Sequence, residues 1–244
     1  MLEVWLQTSL GDRFELTGTP VTSPVLAPYG ALEGLRANAS RSDMPVPGGA
    51  GVLPGRKVFG AIQTELEFYV QCDTGEELAE VHARLRRGWS HATWDNPCLV
   101  EIHSDHPLSP LVFELVVDGE LPGVVVDMSR RTQETLRVPT VCRHGLARSG
   151  VQTGENSVTV TNGGDTAVYP RIVWSGAGGQ VTCPSGATFT LPRANVRTVV
   201  DLHPSKLRLD GVLPEGVPPG GVGRWVVPAG ARLEWNVWVA DPWA

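Results

Sequence analysis

The densest run of groups able to hold a metal or move a proton is Glu101-Ile102-His103-Ser104-Asp105-His106. Two imidazoles and a carboxylate within four residues are ligand types that divalent metals use. The spacing works against a site. On an extended strand side chains alternate between faces, so His103 and His106 leave in opposite directions. Pro107 then ends the run. A turn dressed with polar side chains accounts for the same residues. Ser104 has no G-x-S-x-G frame around it, so it is not a nucleophile elbow.

Paired carboxylates occur at Glu65/Glu67 and Glu76/Glu77. The first pair shares one face of a strand, about 7 Å apart. A glycosidase places its acid and nucleophile on facing elements around a cleft, so a solvated strand face is the simpler reading. Gly48-Gly49-Ala50-Gly51 is not followed by the GK[ST] of a phosphate loop. Cys72, Cys98, Cys142 and Cys183 are far apart and lack C-x-x-C spacing. They read as small buried hydrophobes, with neither a zinc site nor a disulfide expected. No catalytic residue, metal site or cofactor is expected.

Eight tryptophans carry the remaining binding potential: Trp5, Trp89, Trp94, Trp174, Trp225, Trp235, Trp238 and Trp243. Exposed on a β-sandwich, such rings stack sugars; buried, they fill cores. Trp235 shares a face with Leu233, Val237 and Val239, which places it in a core. Trp238 falls on the opposite face, where a ligand or a second subunit would meet it.

The elements that position these residues are mostly strands. Val4-Trp5-Leu6 and Phe14-Glu15-Leu16 flank a Gly11-Asp12 turn signal. Residues 20–57 hold six prolines and many glycines. They read as a long irregular arm that docks on a neighbouring subunit. Thr64–Gln71 alternates with period two. Thr74 and Glu77 then form a T-x-x-E capping box, and Leu78, Val81 and Leu85 line one helical face. Gly88 is expected to terminate this helix. Strands follow at Leu99–His103, Leu111–Val117, Val124–Met128 and through Leu136–Cys142, where Pro139 suggests a sheet edge. Ser149–Gly154 reads as a linker.

Beyond it, strands are expected at Ser157–Thr161, Val168–Trp174, Gln180–Cys183, Thr188–Leu191, Val196–Leu202, Lys206–Leu209, Trp225–Val227 and Arg232–Ala240. Pro214–Gly223 reads as an exposed loop. Short strands with turn signals every eight to twelve residues point to a sandwich or jelly roll. The fold class is therefore mainly β with one α-helix, in domains 1–150 and 151–244.

The net charge of -6 lies wholly before Val151, since seven Arg/Lys and seven Asp/Glu balance after it. An acidic chain with no basic stripe argues against nucleic acid as a sequence-specific partner. No run of 18 apolar residues is present, so no membrane-spanning helix is expected. Met1-Leu2-Glu3-Val4-Trp5 has no basic segment leading into an apolar core and does not read as a signal peptide.

Several short motifs then stand out by order and spacing. They are Pro54-Gly55-Arg56 before the long strand, the strand–helix pair over 58–88, Gly164-Asp165, Tyr169-Pro170-Arg171-Ile172, and Val199-Val200-Asp201. Lys206-Leu207-Arg208-Leu209-Asp210-Gly211, Arg224-Trp225 and Pro228-Ala229-Gly230 complete the set. In these the chain resembles the distal tail (Dit-like) family of long-tailed, non-contractile bacteriophages. Leu202-His203 after Asp201 and the Pro/Gly-rich loop before Trp225 depart from the family pattern.

The resemblance implies a non-enzymatic virion protein of the tail tip. Its N-terminal domain would be a β-sandwich-like, ring-forming domain, and its C-terminal domain a galectin-like or jelly-roll β-sandwich. Six copies would form a ring linking the tail tube protein to the baseplate hub. The implied partners are further copies, the tail tube protein, the C-terminus of the tape measure protein, and hub or tail fibre proteins. A host surface glycan on the second domain is the alternative. Arg56, Trp225 and Trp238 are the candidate interaction residues.

Overall fold

The computed structural model describes residues 2–19, 22–124, 127–206, 211–212 and 214–243. The chain forms two compact units. Unit 1 comprises residues 1–147 together with 240–244, and unit 2 comprises 148–239. The last residues, grouped by the sequence reading with the second domain, thus belong with the first.

Unit 1 contains β1 (Glu3–Gln7), β2 (Arg13–Glu15), β3 (Val25–Leu26), β4 (Asn38–Arg41), β5 (Met44–Pro45), β6 (Val52–Leu53), β7 (Lys57–Gly60), β8 (Ile62–Gln71), α1 (Gly75–Ser90), β9 (Cys98–His103), β10 (Leu111–Val117) and β11 (Gln133–Cys142). Seven strands pair in the order β2-β1-β9-β10-β11-β8-β3. Leu16 N donates to Val4 O (2.7 Å) and Ala27 N to Leu16 O (2.9 Å), which brings the two ends of the sheet nearly to closure. The registers Leu6↔Val100, Phe113↔Val100 and Leu136↔Phe68 put these side chains on the inner face, where all are buried. Leu78, Val81, Leu85 and Trp89 of α1 are buried with them, the Trp89 ring lying 5.7 Å from Phe68.

Thr74 caps α1 by accepting from Glu77 N at 3.2 Å. The helix does not stop at Gly88; it runs to Ser90, with His91 as C-cap. Gly88 is needed for a different reason. A Cβ there would lie 2.4 Å from Thr8 Cβ, and Ser9 Oγ donates to Gly88 O at 2.5 Å. Alanine is the better helix former by about 1 kcal/mol. Thr8 is buried and cannot retreat. Gly88→Ala is therefore expected to destabilise unit 1 by roughly 1–2 kcal/mol, read as a lower urea midpoint; a raised midpoint would refute the close-approach role.

Pro139 does not mark an edge. β11 lies between β10 and β8. Pro139 O accepts from Asp118 N (2.9 Å), so its missing N–H faces β10, where the pairing ends at Val117↔Thr140. Only the reciprocal bond of this last pair is forgone, at the end of the ladder, and the sheet tolerates the proline in its interior. Of the strand expected over Val124–Met128, Val125 and Val126 lie outside the described residues, Val124 is irregular, and Met128 opens a short 3-10 turn to Arg130.

The chain passes to unit 2 through β12 (Ala147–Ser149). The expected linker is mostly strand, because β13 (Gln152–Glu155) pairs with β20 (Ala231–Trp235). Unit 2 continues with β14 (Ser157–Thr161), β15 (Arg171–Gly176), β16 (Gly179–Thr182), β17 (Thr188–Leu191), β18 (Ala194–Asp201), β19 (Val222–Val226), β20 and β21 (Trp238–Val239). Two four-stranded sheets result, β13-β20-β15-β18 and β14-β19-β16-β17. Asn156, at φ 60°, makes the turn by which the chain leaves one sheet for the other. Ile172, Trp174, Leu233 and Trp235 of the first sheet and Val158, Val181, Leu191 and Trp225 of the second are buried between them. The strand expected over Arg232–Ala240 is broken at Asn236, whose Nδ2 donates to Ser149 O at 2.8 Å. The Pro214–Gly223 loop is not wholly exposed: Val217 is buried and bridges to Val168. The candidate strand Lys206–Leu209 lies, apart from Lys206, outside the described residues.

Candidate interface

The long segment expected to be irregular is a β-hairpin arm. β4 pairs with β7 over Asn38↔Gly60 to Arg41↔Lys57, and β5 pairs with β6 nearer the tip. Both faces are open. Asn38–Arg41 are all exposed, as are Met44 (63%), Val52 (54%), Leu53 (50%) and Val58 (56%). A two-stranded hairpin without a covered face is marginal in water. These apolar side chains are therefore stabilised only when another surface covers them.

Within the arm, Asp43 ties the two strands. Its carboxylate accepts from Arg41 Nη2 at 2.6 Å and from Gly55 N at 2.7 Å. The Arg41 bond, with help from Gly55, holds the Asp43 carboxyl below its usual range. Gly55 is fixed by space: a Cβ there would lie 2.0 Å from Ser42 O. Arg56 follows it, exposed, between β6 and β7. Lys57 Nζ sits 4.6 Å from the centre of the Phe59 ring. At the root Trp243 Nε1 donates to Leu35 O (3.1 Å), closing one side of a cavity of about 430 Å³ lined by Arg36, Lys57, Phe59 and Asp241. The arm from Arg36 to Lys57 carries four cations and one acid on an otherwise acidic unit.

The other candidates separate. Trp225 is fully buried, with Gly223 directly against its ring, so it belongs to the core of unit 2 and offers no surface. The sequence reading failed because its strand shows too few residues to fix which face turns inward. Trp238 is half-buried on β21, where its carbonyl accepts from Asp165 N. Arg56 belongs to unit 1 and Trp238 to unit 2.

The chemical candidates remain apart too. His103 ends β9, 3.6 Å from Glu101, which Arg13 also binds at 2.8 Å. His106 Nδ1 accepts from Leu108 N (3.1 Å) and shapes a turn. Glu65 is exposed, and Glu67 pairs with Arg137 at 3.0 Å. Among the described residues no three His, Cys, Asp or Glu side chains cluster as metal ligands. All four thiols are free, and burial pushes Cys98 up to about 12 and Cys183 to about 11.

No family model matches the chain, and no curated protein matches it by sequence. Solved structures match its fold. The Dit protein of SPP1, described as a paradigm of the hub adsorption apparatus in phages infecting Gram-positive bacteria, superposes with TM-score 0.53 at 11% identity, over 98% of this chain and 99% of that one. A chain of the phage P2 baseplate in its activated conformation with Ca gives TM-score 0.57, and the Sr form gives 0.55. Identity is 7% in both, over 97% of this chain and 98% of theirs.

Proposed function

We propose that this chain is a structural virion protein at the distal end of a phage tail. In this reading six copies form a ring that joins the tail tube to the baseplate hub and carries host-recognition proteins. Unit 1 is the ring-forming part and unit 2 the outer module. The observation that supports it most is a fold shared with phage hub and baseplate chains from end to end, through both units.

The arm adds a physical argument. A closed ring of identical subunits needs heterologous contacts, one surface of each copy fitting a different surface of the next. The arm supplies one of them, with exposed Met44, Val52, Leu53 and Val58 for apolar contact. Its excess of cations complements the acidic body of a neighbouring unit 1, an arrangement that steers association and fixes register.

The test is assembly. Electron microscopy and native mass at high protein concentration are expected to show six-fold rings with a central hole. Replacing Met44–Leu53 by a short glycine-containing turn should leave monomers with an unchanged melting temperature, because the tip adds nothing to the core. Rings that persist without the tip would remove the arm's role, and open or differently sized assemblies of the intact chain would overturn the six-fold reading.

A further inference from the structure

Three strands of unit 2 bring cations onto one carboxylate. Glu234 lies on the outer face of the β13-β20-β15-β18 sheet yet is only 3% exposed. Its Oε2 is 2.9 Å from Arg171 Nε, directly across on β15. Its Oε1 is 2.7 Å from Arg232 Nε, 2.6 Å from Arg232 Nη2, and 3.8 Å from Arg197 Nη2 on β18. One acid thus anchors three guanidinium groups; with Glu155, Asp201 and Lys206 also counted, the face keeps a single positive charge in excess. A carboxylate so covered is costly unless well paired. In return the arginine heads are held in place, while their side chains stay 45%, 47% and 64% exposed.

Beside this plate on β18, Val199, opposite Val173, is 46% exposed. The plate is also bounded. Glu155 stands opposite Arg232 on β13, and Asp201 opposite Arg171 on β18, held by Lys206 Nζ at 3.6 Å. A long polyanion such as nucleic acid needs an uninterrupted basic track; acids on both sides deny it one.

We infer that this plate docks a short acidic segment of a partner protein. Asp or Glu side chains of that segment would bind Arg171, Arg197 and Arg232 through the guanidinium hydrogens that Glu234 leaves open, and an adjoining apolar residue would cover Val199. Guanidinium–carboxylate pairs give such a contact its geometry. The inference concerns unit 2 alone and stands whether or not unit 1 forms rings.

The probe is a fluorescein-labelled decapeptide of alternating Glu and Val, titrated with the full chain and followed by anisotropy. Binding is expected to weaken with added salt and to fall about tenfold in Arg197→Glu. Arg197 reaches Glu234 only at 3.8 Å and is largely exposed, so this variant should melt like the parent. Absence of binding at millimolar peptide would overturn the proposal, as would an Arg197→Glu variant that binds equally well. Inorganic polyphosphate that displaces the peptide at matched charge would show a general anion site instead and overturn the assignment to protein.

Discussion

Trp225→Ala is expected to cost unit 2 roughly 3–5 kcal/mol, the ordinary loss for truncating a large buried aromatic. The ring is fully buried at the centre of the sandwich, against Gly223, with Val158 across the strand pair. Trp225→Phe should cost far less. Among the described residues the Trp225 indole N–H has no hydrogen-bond partner, and a buried unsatisfied donor carries a penalty of about 1–3 kcal/mol that phenylalanine does not inherit. Denaturant unfolding of both variants checks the pair. The sugar-stacking reading makes the opposite prediction: Trp225→Ala would lose ligand and keep its stability.

The second large effect is Arg232→Ala, which takes a hydrogen bond and a close ion-pair contact from a covered carboxylate. A loss of roughly 3 kcal/mol at neutral pH is expected, the lower end for a broken buried pair because Arg171 remains and the rim is wet. The pH dependence carries the diagnosis. In the parent, burial pushes Glu234 up, but the bonds and charges of Arg232 and Arg171 outweigh it and hold the carboxyl below its usual range. A group with a lowered folded pKa contributes its full stability above the ordinary glutamate range, and that contribution fades as pH falls through the range toward the lowered value. In Arg232→Ala burial stays and the main partner goes, so the Glu234 pKa climbs. The variant should therefore fall furthest behind the parent at neutral pH and draw closer to it in acid. Glu234→Gln added to Arg232→Ala should recover part of the neutral-pH loss. A stability gap that ignores pH would mean the arginine acts by packing alone.

Many of the strand positions along the chain were legible because period-two alternation is a local signal. Thr64–Gln71, Leu99–His103 and Ser157–Thr161 announce themselves, and the strands found there run Ile62–Gln71, Cys98–His103 and Ser157–Thr161. The helix announced itself through Thr74 and its apolar face. The failures share a cause: each depends on something distant in sequence. Gly88 looks like a helix stop until Thr8 is known to press against it. Pro139 looks like an edge until β10 is seen to end beside it. Residues 38–57 look irregular because an exposed hairpin needs no hydrophobic alternation. The signals present there, Asp43 and the Gly48–Gly51 turn between Pro45 and Val52, are weak ones. Glu234 sat in a strand as an ordinary outward acid; only the register that sets it beside Arg171 makes it buried. Arg56 and Trp238 were chosen as groups of interacting type in the two domains that the sequence already separates; how far each is exposed depends on the packing around it.

The point where the backbone leaves unit 2 lies beside the point where it arrives. Ser149 N donates to Val237 O (2.8 Å), Val237 N to Ser149 Oγ (3.0 Å), and Asn236 Nδ2 to Ser149 O (2.8 Å). Residues 240–243 then rejoin unit 1, where Trp243 closes the arm root. Unit 2 is thus an insertion with clasped ends, a cassette in the evolutionary sense. Recombination that replaces the stretch between the clasps leaves unit 1 its own first and last strands and its arm. Unit 2 can diversify or be exchanged wholesale while unit 1 keeps its register.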